Sequence, residues 1–130
     1  MLIIMELEEA EVLEAGNSFV NNEGNIMIQI NITDAPNQSI QVPFQDGTCT
    51  VSMYYSQLES SWFMSVSYGN SEVNNIIVEQ GVNLLYPFRH MFPFGIICIS
   101  NSAVRPLFID SFFTGESDLI LLEGSENINL

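Results

Sequence analysis

Lysine is absent from this chain, and arginine occurs only twice, as Arg89 and Arg105. Set against 16 acidic residues, that leaves a formal charge of -14. General binding to nucleic-acid phosphates, which runs on Lys and Arg, is thereby excluded. A field of this sign repels a duplex, so the composition suits a protein that avoids DNA as well as one that lines its path. Histidine is nearly missing too. His90 stands alone beside a proline-broken turn, which removes most hydrolytic triads and metal cages and reads as a hydrogen-bonded structural residue. The two cysteines, Cys49 and Cys98, both lie in strand-like runs, and buried free thiols are expected there rather than a disulfide. There is no glycine-rich phosphate cradle, no Cys-x-x-Cys and no apolar run long enough to span a bilayer as a helix. The apolar Met1–Met5 run has no basic flank and meets Glu6 at once, so it is too short and wrongly flanked for a signal peptide.

What is present is alternation. In the stretch from Cys49 to Tyr68, Cys49, Val51, Met53 and Tyr55 share one face while Thr50, Ser52 and Ser56 share the other, the period of a half-buried strand. Trp62, Met64, Val66 and Tyr68 repeat the pattern after the four residues Leu58 to Ser61, a common hairpin-loop length. A ribbon with one aromatic, sulfur-rich face is barely stable alone, so other strands of the chain must cover it. A length of 130 residues, 47% of them hydrophobic, suffices for one such core.

Other segments fit around that hairpin. Leu7 to Ala15 are strong helix formers whose apolar positions gather on no single helical face, and Gly16 to Gly24, with three asparagines, reads as a loop. Residues 1–25 are therefore expected to be an acidic appendage, dispensable for folding and used in assembly. Ile26, Ile28, Ile30 and Ile32 alternate with Met27, Gln29 and Asn31 and begin the body, 26–124. Ile40, Val42 and Phe44 face inward on a second strand, which Pro43 confines to an edge or a bulge. Asp46-Gly47 turns the chain into the central hairpin. Gly69 to Asn75 is polar, Ile76 to Glu79 makes a short strand, and Asn83 is placed to cap one helical turn that Pro87 stops from growing. Gly95 to Ser100 and Leu119 to Leu122 are apolar strands separated by the loop Arg105 to Glu116, whose bulky residues must lie against something. Residues 125–130 read as a mobile tail. The fold class is all-β: a small antiparallel barrel or sandwich of about seven strands with a short N-terminal appendage.

Candidate chemistry is sparse. Asp110, Glu116 and Asp118 around Gly115 offer hard oxygen ligands but lack the fixed spacing of a calcium loop, and an ordinary solvated acidic loop is the better reading. The sequons Asn31-Ile-Thr33 and Asn37-Gln-Ser39 matter only in a secreted chain. No catalytic residue, metal or cofactor is assigned.

Ala35-Pro-Asn-Gln38, the alternating run that ends in the Trp62 strand, and Gly81-Val-Asn-Leu-Leu85 followed by Gly95 and an apolar strand resemble the baseplate plug-domain family of contractile-tailed (myovirus) bacteriophages. The resemblance covers residues 26 to 124. It departs from the family at Asn83, where members carry Asp, and at Phe94-Gly95, where they are richer in glycine. It implies a non-enzymatic virion component packed near the hub and tube end of the tail baseplate, sealing or bracing it before contraction. The expected partners are other baseplate, hub and tail tube proteins, with several copies around the tail axis, no specific nucleic-acid binding, no membrane, and assembly in the host cytoplasm. The surfaces expected to make those contacts are Leu84, Tyr86, Phe88, Phe92, Phe108, Phe112 and Phe113, with Arg89 and Arg105 meeting carboxylates of this chain or a neighbour. The alternative is a β-sandwich ligand- or carbohydrate-binding module using Trp62, Tyr54 and Phe63 as a platform.

Overall fold

The computed structural model describes residues 9–13, 16–20 and 26–124. Its centre is the antiparallel pair β5 (Gly47–Ser56) and β6 (Ser61–Tyr68). Tyr55 pairs with Trp62, Met53 with Met64, Val51 with Val66 and Cys49 with Tyr68, so the two apolar stripes read from the sequence lie side by side on one face. The loop between them is 57–60, one residue earlier than the sequence suggests. β4 (Asn37–Phe44) and β7 (Ser71–Ile77) flank this pair in a four-stranded sheet ordered β4-β5-β6-β7. The second sheet, ordered β1-β2-β3-β9-β8, holds β1 (Glu9–Leu13), β2 (Gly16–Val20), β3 (Ile26–Ile30), β8 (Phe94–Ser100) and β9 (Ser117–Glu123). Every pairing is antiparallel and the sheets do not close into a barrel. Seven strands within 26–124 form a sandwich, the second of the two architectures expected.

Three local expectations are corrected. Glu9–Leu13, rich in helix formers, is a strand, because pairing to a neighbouring strand overrides a weak local propensity. Gly16–Val20, read as loop, is also a strand, with Val20 opposite Ile26 and Ser18 opposite Ile28. β7 begins at Ser71 rather than Ile76, since one inward side chain, Val73, suffices to anchor a polar edge strand. The tail 125–130 lies outside the described residues.

The core fills the space between the sheets. Trp62, Phe94, Met53, Met64, Ile96, Leu119 and Leu121 are all but fully buried there, each contributing roughly 1.5–3 kcal/mol by leaving water. Cys49 and Cys98 are free thiols in this core, and burial pushes each up to about 12. A second apolar cluster, Met27, Ile97, Ile99, Ile120 and Leu122, occupies the other face of the β3-β9-β8 sheet. That double burial explains why β8 reads as an unbroken apolar run rather than an alternating one. The opposite outer face, on the four-stranded sheet, is mostly polar, with Ser39, Ser52 and Ser65 in one cross-strand row, Tyr54 and Phe63 beside it, and the charge of Glu72 opposite Ser67.

The outer edge of β8 is closed. Gly81 N–H donates to Cys98 O at 2.8 Å and Leu84 N–H to Ile96 O at 2.8 Å, so residues 80–84 run along it as a short extra strand. Asn83 does not cap the 3-10 turn Tyr86–Phe88 as a side-chain N-cap; that position falls on Leu85. Its Oδ1 instead accepts from Leu85 N at 3.0 Å and Ile96 N at 3.1 Å, pinning the segment to the sheet edge. A carboxylate oxygen would serve the same acceptor role.

Candidate docking surface

The loop from Asn101 to Glu116 covers one end of the sandwich, where β3, β5 and β7 finish and β4, β6 and β9 start. Its anchoring is mostly polar. Trp62 Nε1–H donates to Phe108 O at 3.1 Å and Tyr55 O–H to Leu107 O at 2.7 Å, so two core aromatics hold the loop backbone by its carbonyls. Within the loop, Phe108 N–H donates to Ser111 Oγ at 3.0 Å and Ser111 N–H returns to Phe108 O at 3.0 Å. Gly115 takes a φ of 87°, which a side-chain-bearing residue reaches only with strain, and lets Gly115 N–H reach Phe112 O. The loop base is tied by Ser100 and Ser117, whose hydroxyls lie 2.7 Å apart, and by Asn101 N–H on Glu116 O.

This arrangement turns the phenylalanines of the loop in different directions. Phe112 enters the core and meets Trp62 edge-on at 5.8 Å. Phe108 and Phe113 point outward, 67% and 66% exposed, with Ile109 beside them. The β5–β6 turn at the same end exposes Leu58 at 96%, and Val104 is half exposed. A rigid, hydrogen-bonded loop holding large apolar side chains in solvent is the usual appearance of an interaction site.

Charges at this end are mainly negative. Asp34, Glu59, Glu79, Asp110, Glu116 and Asp118 lie in or beside its loops. Burial raises the Asp118 carboxyl above its ordinary range, and its Oδ1 accepts from Gln29 Nε2 at 3.1 Å. Arg105 meets Glu79 at 3.9 Å and donates from Nε to the buried Ser61 Oγ at 3.2 Å, so it is engaged within the chain through a half-exposed ion pair of little energetic weight. Among the described residues no three His, Cys, Asp or Glu side chains come together as a metal cage.

The residues singled out from the sequence do not form one patch. Leu84, Phe92 and Phe112 are buried in this chain's own core. Phe88 is half-buried against the core. Tyr86 and Arg89 are exposed but lie at the far end of β8, where Arg89 stacks on the Tyr86 ring at 4.1 Å and donates to Tyr86 O at 2.9 Å. β8, seven residues long and about 20 Å at strand rise, separates them from Phe108 and Phe113. The exposed residues that sequence reading passed over, Leu58 and Val104, are turn residues whose exposure no periodicity reveals. The platform of Trp62, Tyr54 and Phe63 is not formed: alternation places Trp62 inside and the other two outside, and Trp62 is fully buried.

A profile of the family described as cyanophage baseplate Pam3 plug gp18 matches residues 27–122. The chain belongs to this baseplate plug family. The match begins within β3 and ends within β9, so it takes in the four-stranded sheet, β3, β8 and β9 of the other, and the loop from Asn101 to Glu116. No curated protein matches the chain. As a plug-family member it is a structural component of a phage tail baseplate, associated with other baseplate and tail proteins.

Proposed function

We propose that this chain packs at the hub and tube end of the baseplate and braces or seals it before contraction, without catalysing a reaction. The observation that carries this reading is the concentration of Leu58, Val104, Phe108, Ile109 and Phe113 at one end of the sandwich, on a loop fixed by Trp62 and Tyr55. These side chains meet hub or tube proteins, several copies standing around the tail axis. Residues 26–124 are the folding unit, and residues 1–25 add contacts made in assembly, which takes place in the host cytoplasm.

The charge has a role in the same position. A channel that passes DNA must not capture it, and a component with 16 carboxylates and no lysine repels phosphate over a few screening lengths of about 8 Å at physiological salt. A density map of the assembled tail tests the whole reading. The loop end should abut hub or tube proteins close to the central axis; a chain at the outer periphery with Phe108 and Phe113 in solvent would overturn it.

A further inference from the structure

The exposed edge of β4 is finished differently from those of β7 and β8. The β8 edge is covered by residues 80–84, and β7 carries an irregularity opposite Ser65, where Asn75 takes a φ of 61°. β4 has neither device. The direction of its backbone groups follows from the two-residue turn 45–46, which makes Phe44 and Gly47 the closing hydrogen-bonded pair. Alternation then turns Gln38, Ile40, Val42 and Phe44 towards β5, and Asn37, Ser39, Gln41 and Pro43 away from it. The Tyr55 N–H bond to Pro36 O at 2.8 Å agrees, since it places the odd-numbered β5 residues on the β4 side. Pro43 thus has its missing N–H on the free side, where proline is tolerated.

Asn37, Ser39, Gln41 and Pro43 are all exposed. Among the described residues no backbone bond beyond the β4–β5 ladder involves Ser39 or Gln41. Edge strands are normally blunted with charge or proline; Asn37–Phe44 holds no charge in a chain with 16 acidic residues, and its one proline, Pro43, stands at the turn end and leaves Asn37 to Gln41 open. We propose that this edge receives an extended segment of a neighbouring tail protein as an added β-strand. The identity of the partner rests on the baseplate reading; the open edge does not. Side chains fix the kind of segment. On the inner side it sits beside half-buried Ile40 and needs an apolar residue there, which extends the core. On the outer side it lies beside Ser39 and Gln41 and takes uncharged or basic residues, because a net charge of -14 repels an acidic strand and equally a second copy of this chain.

Ser39→Pro combined with Gln41→Pro removes two outward N–H donors and leaves the β4–β5 bonds intact. Supplied to particles that lack the protein, the double variant should be incorporated at least about tenfold less than wild type, because main-chain bonds give strand addition its affinity, while its melting temperature and circular dichroism stay near wild type. Normal incorporation of the folded variant overturns the proposal. Failure of the wild-type chain to enter particles overturns the baseplate reading, and with it the partner named here. Should the variant not fold, amide exchange of the wild-type protein decides: Ser39 and Gln41 protected in purified tails but not in free protein supports strand addition, and equal exchange sinks it. A wild-type dimer in sedimentation that the double variant loses would assign the edge to a second copy, against the partner chosen here.

Discussion

At one end of the sandwich Phe44, Phe92 and Phe94 are buried, with Phe94 edge-on to Phe44 at 5.2 Å and to Tyr68 at 5.3 Å. At the other end only Phe112 is buried, and Phe108 and Phe113 stand in solvent although their backbone is as firmly bonded. The first end is completed by its own side chains. The second adds one phenylalanine to its core and holds its loop through carbonyls that accept from Trp62 and Tyr55, so the two outward rings are surplus to the fold. Aromatic content alone therefore does not separate core from surface; the hydrogen bonds that fix the backbone do.

The largest expected effect breaks that anchoring. Trp62→Ala removes a fully buried ring, its edge contact with Phe112 and the donor to Phe108 O, and should cost about 3–5 kcal/mol in denaturant unfolding. A loss under about 1 kcal/mol would show that the loop end does not depend on the tryptophan.

Next comes the segment at the far end. Asn83→Ala strands two buried N–H groups, those of Leu85 and Ile96, and should cost about 2–4 kcal/mol at roughly 1–2 kcal/mol for each orphaned donor. Asn83→Asp keeps the acceptor and should stay within about 1 kcal/mol of wild type. Equal losses in both variants would mean that the amide nitrogen, not Oδ1, is the important group.

The smallest effect sharpens the contrast between the ends. Phe108→Ser and Phe113→Ser should each change stability by no more than about 0.5 kcal/mol, as surface substitutions do, and the pair should weaken incorporation into tails. A cost of about 2 kcal/mol or more in calorimetry would make these rings part of the fold and remove the argument that they are kept for a partner.

Much of the fold was legible because period-two alternation is a direct image of a strand with one buried face. The paired stripes Cys49–Tyr55 and Trp62–Tyr68 face each other as that pattern requires. The helix propensity of β1 masks a pattern also present: in Glu9-Ala10-Glu11-Val12 charged and apolar residues alternate. β7 was shortened because an edge strand needs only one buried residue in seven, too few to raise a signal. The loop end is half legible. Bulky residues in the loop announced that it lies against something, but the choice of Phe112 for the core over Phe108 and Phe113 depends on Trp62, a residue 50 positions away in sequence. Leu84 and Phe92 looked like surface candidates because the turn around Pro87 hides which side chains fold back beneath it.

The two thiols carry a consequence for the particle outside its host, where no enzyme reverses oxidative damage. Burial pushes Cys49 and Cys98 each up to about 12, which keeps both as neutral thiols near neutral pH, and oxidation begins from the thiolate. Burial therefore shields this protein chemically: the two side chains most open to slow chemical ageing stay unreactive for as long as the sandwich stays folded.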